Sequence, residues 1–242
     1  MVDISIIIPA FNEQDNLAAL AADIHTTLPQ AEIIIVDDCS TDDTQRIASQ
    51  LLTHYPSIKY IRHAKRSGQS CAVCSGIKHA SYEVIATIDG DGQNPPREIL
   101  KLLHAYTTHS SPASVLFAGH RQQRKDTWVK RFSSHIANKV RITLLKDDCP
   151  DTGCGLKLFH KTAFLSLPQF NHMHRFLPAL FKRNGMVITN VPILHKERQH
   201  GESKYNTWGR LKVGIVDLLG VAWLARRPCN PILSVTASTK HE

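Results

Sequence analysis

Val84-Ile85-Ala86-Thr87-Ile88-Asp89-Gly90-Asp91-Gly92-Gln93 is the stretch that decides how the 242 residues are read. Its first five residues are β-branched or small, which gives a buried strand, and that strand runs directly into two carboxylates separated by one glycine. Alternate residues of an extended chain share a face, so Asp89 and Asp91 converge, while Gly90 and Gly92 let the backbone turn there. Two like charges held at a strand end repel. A divalent cation with oxygen ligands removes that cost, with the Gln93 carbonyl as a third oxygen; a solvated turn is the plain alternative for the same residue types. A position at the carboxyl end of an apolar strand, where open α/β sheets bind ligands, favours the metal.

Working outward, strands and helices alternate on the amino-terminal side. Residues 4–8 are an apolar run closed by Pro9. Leu17, Leu20, Ala21, Ile24 and Leu28 then recur at helical spacing, with Asn12 as candidate N-cap. Residues 32–36 form a second strand ending in Asp37-Asp38, and Ser40 with Asp43 resembles a capping box opening a helix through Ile47, Leu51 and Leu52. A weaker strand at 57–61, a polar loop from His63 to Gln69 and a helix to about Ala80 lead back to the opening stretch. Such alternation implies a mostly parallel sheet with right-handed crossovers, whose carboxyl edge would hold residues 9–13, Asp37-Asp38 and residues 89–93.

The other side is less regular. Pro95-Pro96 starts a helix carrying Ile99, Leu100, Leu103 and Tyr106, and residues 115–118 give another strand. A basic stretch from Gly119 to Arg131 leads into an amphipathic pattern (Trp128, Phe132, Ile136, Val140, Leu144) that places Arg121 and Arg124 near a helix start. Asp151-Thr152-Gly153-Cys154-Gly155 reads as a tight loop before a short strand at 156–159. Residues 209–225 form an apolar helix interrupted by Lys212 and Asp217. At seventeen residues it is too short to span a hydrocarbon core of about 30 Å, so it lies either in a membrane interface or on the protein's own core. The expected organisation is a domain over 1–208, this helix over 209–227 and a poorly ordered tail over 228–242.

A formal net charge of +8 asks for an anionic partner: nucleic acid, an acidic membrane surface or a phosphorylated substrate. No nucleic-acid module is recognisable and aromatic residues are sparse at 7%, which argues against nucleic acid. The chain enters a strand at once, without a secretory signal pattern, so a cytoplasmic location is expected. Six cysteines without paired spacing suit reduced thiols; Cys71 and Cys74 fall in a helix of small residues and read as packing. Pro9-Ala10-Phe11 after the first strand replaces the glycine-rich turn of a dinucleotide oxidoreductase, and the fourteen histidines lack zinc-site spacing.

Ile6-Ile7-Ile8-Pro9-Ala10-Phe11-Asn12-Glu13, Ile35-Val36-Asp37-Asp38-Cys39-Ser40-Thr41-Asp42 and Asp89-Gly90-Asp91-Gly92-Gln93, in that order, resemble the nucleotide-sugar domain of family 2 inverting glycosyltransferases. Arg121 with Lys130-Arg131, the loop from Asp151 to Gly155, Arg175-Phe176-Leu177-Pro178-Ala179-Leu180 and the segment from His195 to Tyr205 look like the polyprenyl-phosphate branch: dolichol-phosphate mannosyltransferase and bacterial undecaprenyl-phosphate relatives. The resemblance implies a GT-A-like, Rossmann-related three-layer α/β fold. It implies that Pro9, Phe11, Glu13, Asp38 and Asp89 line a nucleoside pocket with Asp37 beside them, and that Asp89, Asp91 and Gln93 hold Mg²⁺ or Mn²⁺ on the diphosphate of a UDP- or GDP-sugar. Arg198 and Lys204 would close over that diphosphate, and Arg121 and Arg131 would receive the phosphate of the lipid. Phe11 stands where a tyrosine is frequent, which keeps stacking and loses a hydroxyl. The membrane helices of some relatives are not seen, so peripheral association with the inner face of the cytoplasmic membrane is expected.

The chemistry fits independently. A metal acting as Lewis acid, with Arg and Lys nearby, stabilises the charge that develops on a departing nucleoside diphosphate. A phosphomonoester has a second pKa of about 6, so it is mostly dianion near neutrality and needs no strong base. A sugar hydroxyl as acceptor would need one, and Asp151 is then the candidate.

Overall fold

The apolar runs become strands β1 (Ile4–Ala10), β2 (Glu32–Asp37), β3 (Ile58–Arg62) and β4 (Val84–Thr87), joined by helices α1 (Leu17–Thr27), α2 (Thr44–His54) and α3 (Gln69–His79). After them come α4 (Glu98–Thr108), β5 (Val115–Arg121), helical residues 138–145 (α5), β6 (Lys157–His160), α6 (Lys161–Leu165), α7 (Leu177–Arg183), β7 (Val187–Ile193) and α8 (Thr207–Ala225). The computed structural model describes residues 2–121, 138–196 and 207–227. The basic stretch and the first part of the amphipathic pattern, with Arg124 and Arg131, lie outside the described residues, as do Arg198, Lys204 and the tail.

One seven-stranded sheet runs in the order β3-β2-β1-β4-β6-β5-β7. All neighbours pair in parallel except β6, which is antiparallel to both β4 and β5. Strand alternation divides the core. Ile4, Ile6, Ile8, Ile33 and Ile35 point to a layer with α1, α2 and α4, whereas Ile7, Ile34 and Val36 point to one with α3, α5, α6, α7 and α8. Each fully buried isoleucine contributes roughly 1.5–3 kcal/mol relative to exposure, so two such faces tie β1 and β2 to the centre.

Pro9 lies inside a central strand, opposite Val36, where a missing N–H should be costly. It costs nothing here. The Ile7 carbonyl accepts from Ile88 N–H on the β4 side, so Pro9, two residues on, also faces that side, and β4 has already ended at Thr87. The sheet therefore opens between β1 and β4. Connections leave β1 toward β2 and reach β4 from β3, so this is a topological switch point, the place where open sheets bind ligands.

Two expected caps are absent. Asn12 has φ 55°, and its side-chain carbonyl accepts from Thr41 N–H at 2.8 Å; α1 starts at Leu17 after Asn16. Ser40 Oγ accepts from Asn12 N–H, while the turn before α2 is closed by Asp42, which accepts from Thr44 N–H and Oγ1–H. In both cases a side chain read as a local cap is taken by the contact between the β1–α1 and β2–α2 loops, which builds the sheet edge.

Candidate active site

Pro9, Phe11, Glu13, Asp38, Asp89, Asp91, Gln93 and Arg121 line one cleft of about 500 Å³ above the β1/β4 opening. Asp37 does not join them. Consecutive strand residues face opposite ways, and Asp37 is fully buried, accepting from Ser40 N–H at 2.8 Å and the Tyr60 hydroxyl at 2.7 Å, with Arg62 Nε 3.6 Å away. Asp38 shapes the cleft wall. Its carboxylate accepts from Ser67 N–H and Gly68 N–H, both at 2.7 Å, and pairs with His63 Nδ1 at 2.8 Å, folding the loop 63–68 back toward β1. That loop carries Arg66, whose guanidinium carbon lies 4.0 Å from the centre of the Phe11 ring.

Asp89 and Asp91 stand together at the end of β4. A Cβ on Gly90 would lie 3.1 Å from the Pro9 carbonyl oxygen and 3.3 Å from Glu13 Cγ, so the turn between the two acids fits against β1 only without a side chain. Burial, then the charge of Asp91, pushes the Asp89 carboxyl up to about 6, against the pull of Lys157, Arg121 and a hydrogen bond donated by Gln69 at 2.9 Å. At Asp89 burial and the Asp91 charge thus outweigh the cations and the hydrogen bond that face it.

The loop 151–155 closes the other side. Thr87 Oγ1–H donates to the Gly155 carbonyl at 2.7 Å, pinning the loop to β4. A Cβ on Gly155 would sit 2.2 Å from the Asp89 carboxyl carbon, so this glycine lets the loop touch the acid. Lys157 opposes Thr87 across β4 and β6, is buried, and donates to the Cys154 and Thr152 carbonyls. Arg121, ending β5, grips Asp151 through Nε and Nη2, both at 2.6 Å. Burial lowers the Arg121 guanidinium pKa, but the Asp151 carboxylate outweighs it and raises the group further. Asp151 itself is outside the cleft lining, with both oxygens engaged by Arg121.

The groups that could hold a cation here offer oxygen only: the Asp89 and Asp91 carboxylates and the Gln93 side-chain carbonyl. The Gln93 main-chain oxygen accepts from Lys196 N–H at 2.8 Å, which ties this turn to the segment after β7. Among the described residues no group of three or more His, Cys, Asp or Glu side chains gathers for a metal. Two carboxylates and an amide suit a hard cation that completes its shell with water and substrate phosphates, as Mg²⁺ does. The Asp89 carboxyl, pushed up by burial and by the neighbouring Asp91 charge, points the same way.

Sequence reading gave no role to Arg66, Gln69, Lys157 or His174, all of which line the cleft. Ser70 hydroxyl bonds His174 Nδ1 at 2.7 Å and accepts from His174 N–H, so α3 holds the segment Met173–Arg175 against the cleft. The one local signal for Lys157 is a lysine inside an apolar strand, directly after a glycine loop. Cys74 packs against Met173, Sγ to Sδ 3.9 Å, and burial raises its thiol to about 11, as expected of a packing cysteine.

The architecture is shared with solved glycosyltransferases. Glucosyl-3-phosphoglycerate synthase from Mycobacterium tuberculosis, in complex with Mn²⁺, UDP and glucosyl-3-phosphoglycerate, superposes with a TM-score of 0.69 at 16% identity, over 91% of this chain and 80% of that one. The same synthase with Mg²⁺ and UDP gives 0.68. At that identity the likeness shows the fold, which is GT-A. Residues 5–167 match glycosyl transferase family 2, and the chain belongs to that family. It is 30% identical over 207 residues to undecaprenyl-phosphate 4-deoxy-4-formamido-L-arabinose transferase of Edwardsiella ictaluri, covering 84% of this chain and 62% of that protein. It is 31% identical over 242 residues to dodecaprenyl-phosphate galacturonate synthase of Rhizobium johnstonii, covering 95% of this chain and 69% of the relative. The chain thus spans under two thirds of the first relative's length.

Proposed function

We propose that this chain transfers a sugar, with inversion, from a UDP- or GDP-sugar to a polyprenyl phosphate such as undecaprenyl or dolichol phosphate, working peripherally at the cytoplasmic face of the membrane. The carrying observation is the position of Asp89 and Asp91 at the β1/β4 opening, with Asp89 within electrostatic reach of Arg121 and Lys157. Both named relatives act with polyprenyl phosphates, which supports the acceptor class.

Phe11 and Asp38 bound the nucleoside end of the cleft, with Pro9 and Glu13 beside them. A divalent cation, Mg²⁺ or Mn²⁺, held by Asp89, Asp91 and the Gln93 side chain, would neutralise the departing diphosphate as a Lewis acid. Arg198 and Lys204 are assigned to the same diphosphate. Arg121, joined by Arg131, takes the acceptor phosphate, and Asp151 fixes the Arg121 fork in place. An acceptor phosphate oxygen attacks the sugar C1 on the face opposite the donor; the C1–O bond breaks, its electron pair leaves on the diphosphate, and a phosphodiester forms. No proton need be removed from a phosphate dianion, which agrees with an Asp151 already committed to Arg121. That commitment counts against a hydroxyl acceptor with Asp151 as base.

The test is incubation of purified protein with undecaprenyl phosphate and radiolabelled UDP- and GDP-sugars, with and without Mn²⁺. Metal-dependent, organic-extractable label is expected with at least one donor. Its absence with every donor overturns the acceptor assignment.

A further inference from the structure

Helix α8 has one face packed on protein and one face bare. Val221 and Ala222 are buried in the layer that contains α7, with Leu218 and Leu224 beside them. The single acid of the helix, Asp217, turns toward the protein and pairs with His172 Nδ1 at 2.9 Å. Across the helix, Val213, Ile215, Val216, Leu219 and Trp223 are 41–69% exposed. At 3.6 residues per turn, Val216, Leu219 and Trp223 fall within about 60° of one another, flanked by Val213 and Ile215. A lone exposed leucine needs no explanation, but five large apolar side chains on one stripe do.

The stripe ends in positive charge. Arg183 crosses from α7 to donate to the Leu224 and Arg227 carbonyls at 3.0 and 3.1 Å, and the Arg227 guanidinium lies 5.4 Å from the centre of the Trp223 ring. Arg226 is exposed beside them, and the sequence has no acid from Leu218 to Arg227.

We propose that this face docks on an anionic lipid surface, with α8 lying in the interfacial plane. The choice of occupant rests on charge and composition. An apolar stripe closed by a tryptophan and two exposed arginines, with no acid from Leu218 to Arg227, matches the boundary between acyl chains and anionic headgroups. No described helix is long and apolar enough to cross a membrane, and α8 already spends one side on the protein, so only a surface position is open to it. The inference rests on the proposed function in one respect: a phosphate on a polyprenyl chain has to be met at a bilayer. The fold also ties the two together. His172, which holds Asp217, is two residues from His174 in the cleft wall.

The test is flotation of the full chain with vesicles of phosphatidylcholine, and of phosphatidylcholine mixed two to one with phosphatidylglycerol. The wild type is expected to float with the anionic vesicles and to be released by salt. The double variant Val216→Asp, Leu219→Asp should bind about tenfold less or weaker still while keeping its melting temperature, because both side chains already face outward. Arg226→Glu with Arg227→Glu should lose the preference for anionic vesicles. A wild type that stays with neither vesicle, or a double Asp variant that floats like the wild type, overturns the proposal. So does a wild-type dimer in sedimentation that the double variant dissolves without any vesicle binding, since the occupant is then a second copy. Transfer to a short-chain prenyl phosphate in detergent separates this inference from the functional one. Vesicle binding without transfer upholds docking and removes the activity; transfer without vesicle binding does the reverse.

Discussion

Glu32 and Asp89 stand at opposite edges of one sheet, and burial pushes both carboxyls up, yet they end on opposite sides of their ordinary values. Glu32, at the start of β2, comes out lowered because Lys59, the Ser5 hydroxyl, and the Ser81 N–H and hydroxyl all donate to it. Asp89, past the end of β4, comes out raised to about 6 because the Asp91 charge adds to burial and Lys157, Arg121 and Gln69 together do not offset it. The amino edge is saturated from within the fold. At the carboxyl edge the fold leaves charge for something else to balance, which is what separates a structural acid from one in a working site.

The largest effect that tests this contrast is on catalysis. Asp89→Asn or Asp91→Asn should lower sugar transfer roughly a thousandfold, the scale of losing a main electrostatic group in a transition state. The melting temperature should hold or rise, because a like-charge repulsion is removed. A fall of several degrees would put these acids in the same class as Glu32 and break the contrast. Next is Gly155→Ala. Its new Cβ must displace either Asp89 or the loop, and a shift of about 1 Å at a reacting centre costs roughly a hundredfold. Steady-state rates with unchanged far-ultraviolet circular dichroism check it.

The carboxyl edge was largely readable from the chain because its signals are local. Ile6-Ile7-Ile8 and Ile33-Ile34-Ile35-Val36 are buried on both faces, so they are continuous apolar runs, and Asp89-Gly90-Asp91 follows such a run directly. What escaped depends on contacts distant in sequence. Strand β7 carries no clean strand signal because Asn190 and Pro192 break the run from Val187 to Ile193, and as an edge strand it is half exposed, so neither a continuous run nor an alternation survives. Lys157 is a ligand-side cation only because β6 lies antiparallel beside β4, and no local rule announces that pairing. Asn12 and Ser40 carry strong cap propensity, but each is claimed by the other loop, and a tertiary hydrogen bond outranked the local one.

Asp151→Asn sharpens the comparison by asking which kind of acid Asp151 is. If it positions Arg121, the variant should raise the apparent KM for the acceptor about tenfold, leave the shape of the pH profile unchanged, and be rescued in part by Asp151→Glu. If it were a base, kcat would fall by several orders of magnitude and the acidic limb of the profile would disappear.

The smallest expected effect on catalysis comes from the amino edge. Glu32→Gln keeps the shape but breaks the ion pair with Lys59 and weakens acceptance from Ser5 and Ser81, which should destabilise the fold by about 2 kcal/mol, at the low end because Lys59 is half exposed to solvent. Transfer rates should stay within about twofold of wild type, since no cleft residue touches Glu32. The pH dependence has a definite sign. The folded-state pKa of Glu32 lies below its ordinary 4.5, so its ionisation stabilises the fold fully above that value, and the contribution fades as pH falls through the lowered folded value. Chemical denaturation across acidic pH should therefore show a gap between wild type and variant that is full near neutrality and closes below pH 4.5. A gap that widens with acidification would mean that Glu32 is held protonated, and the amino edge would then be no better compensated than the cleft.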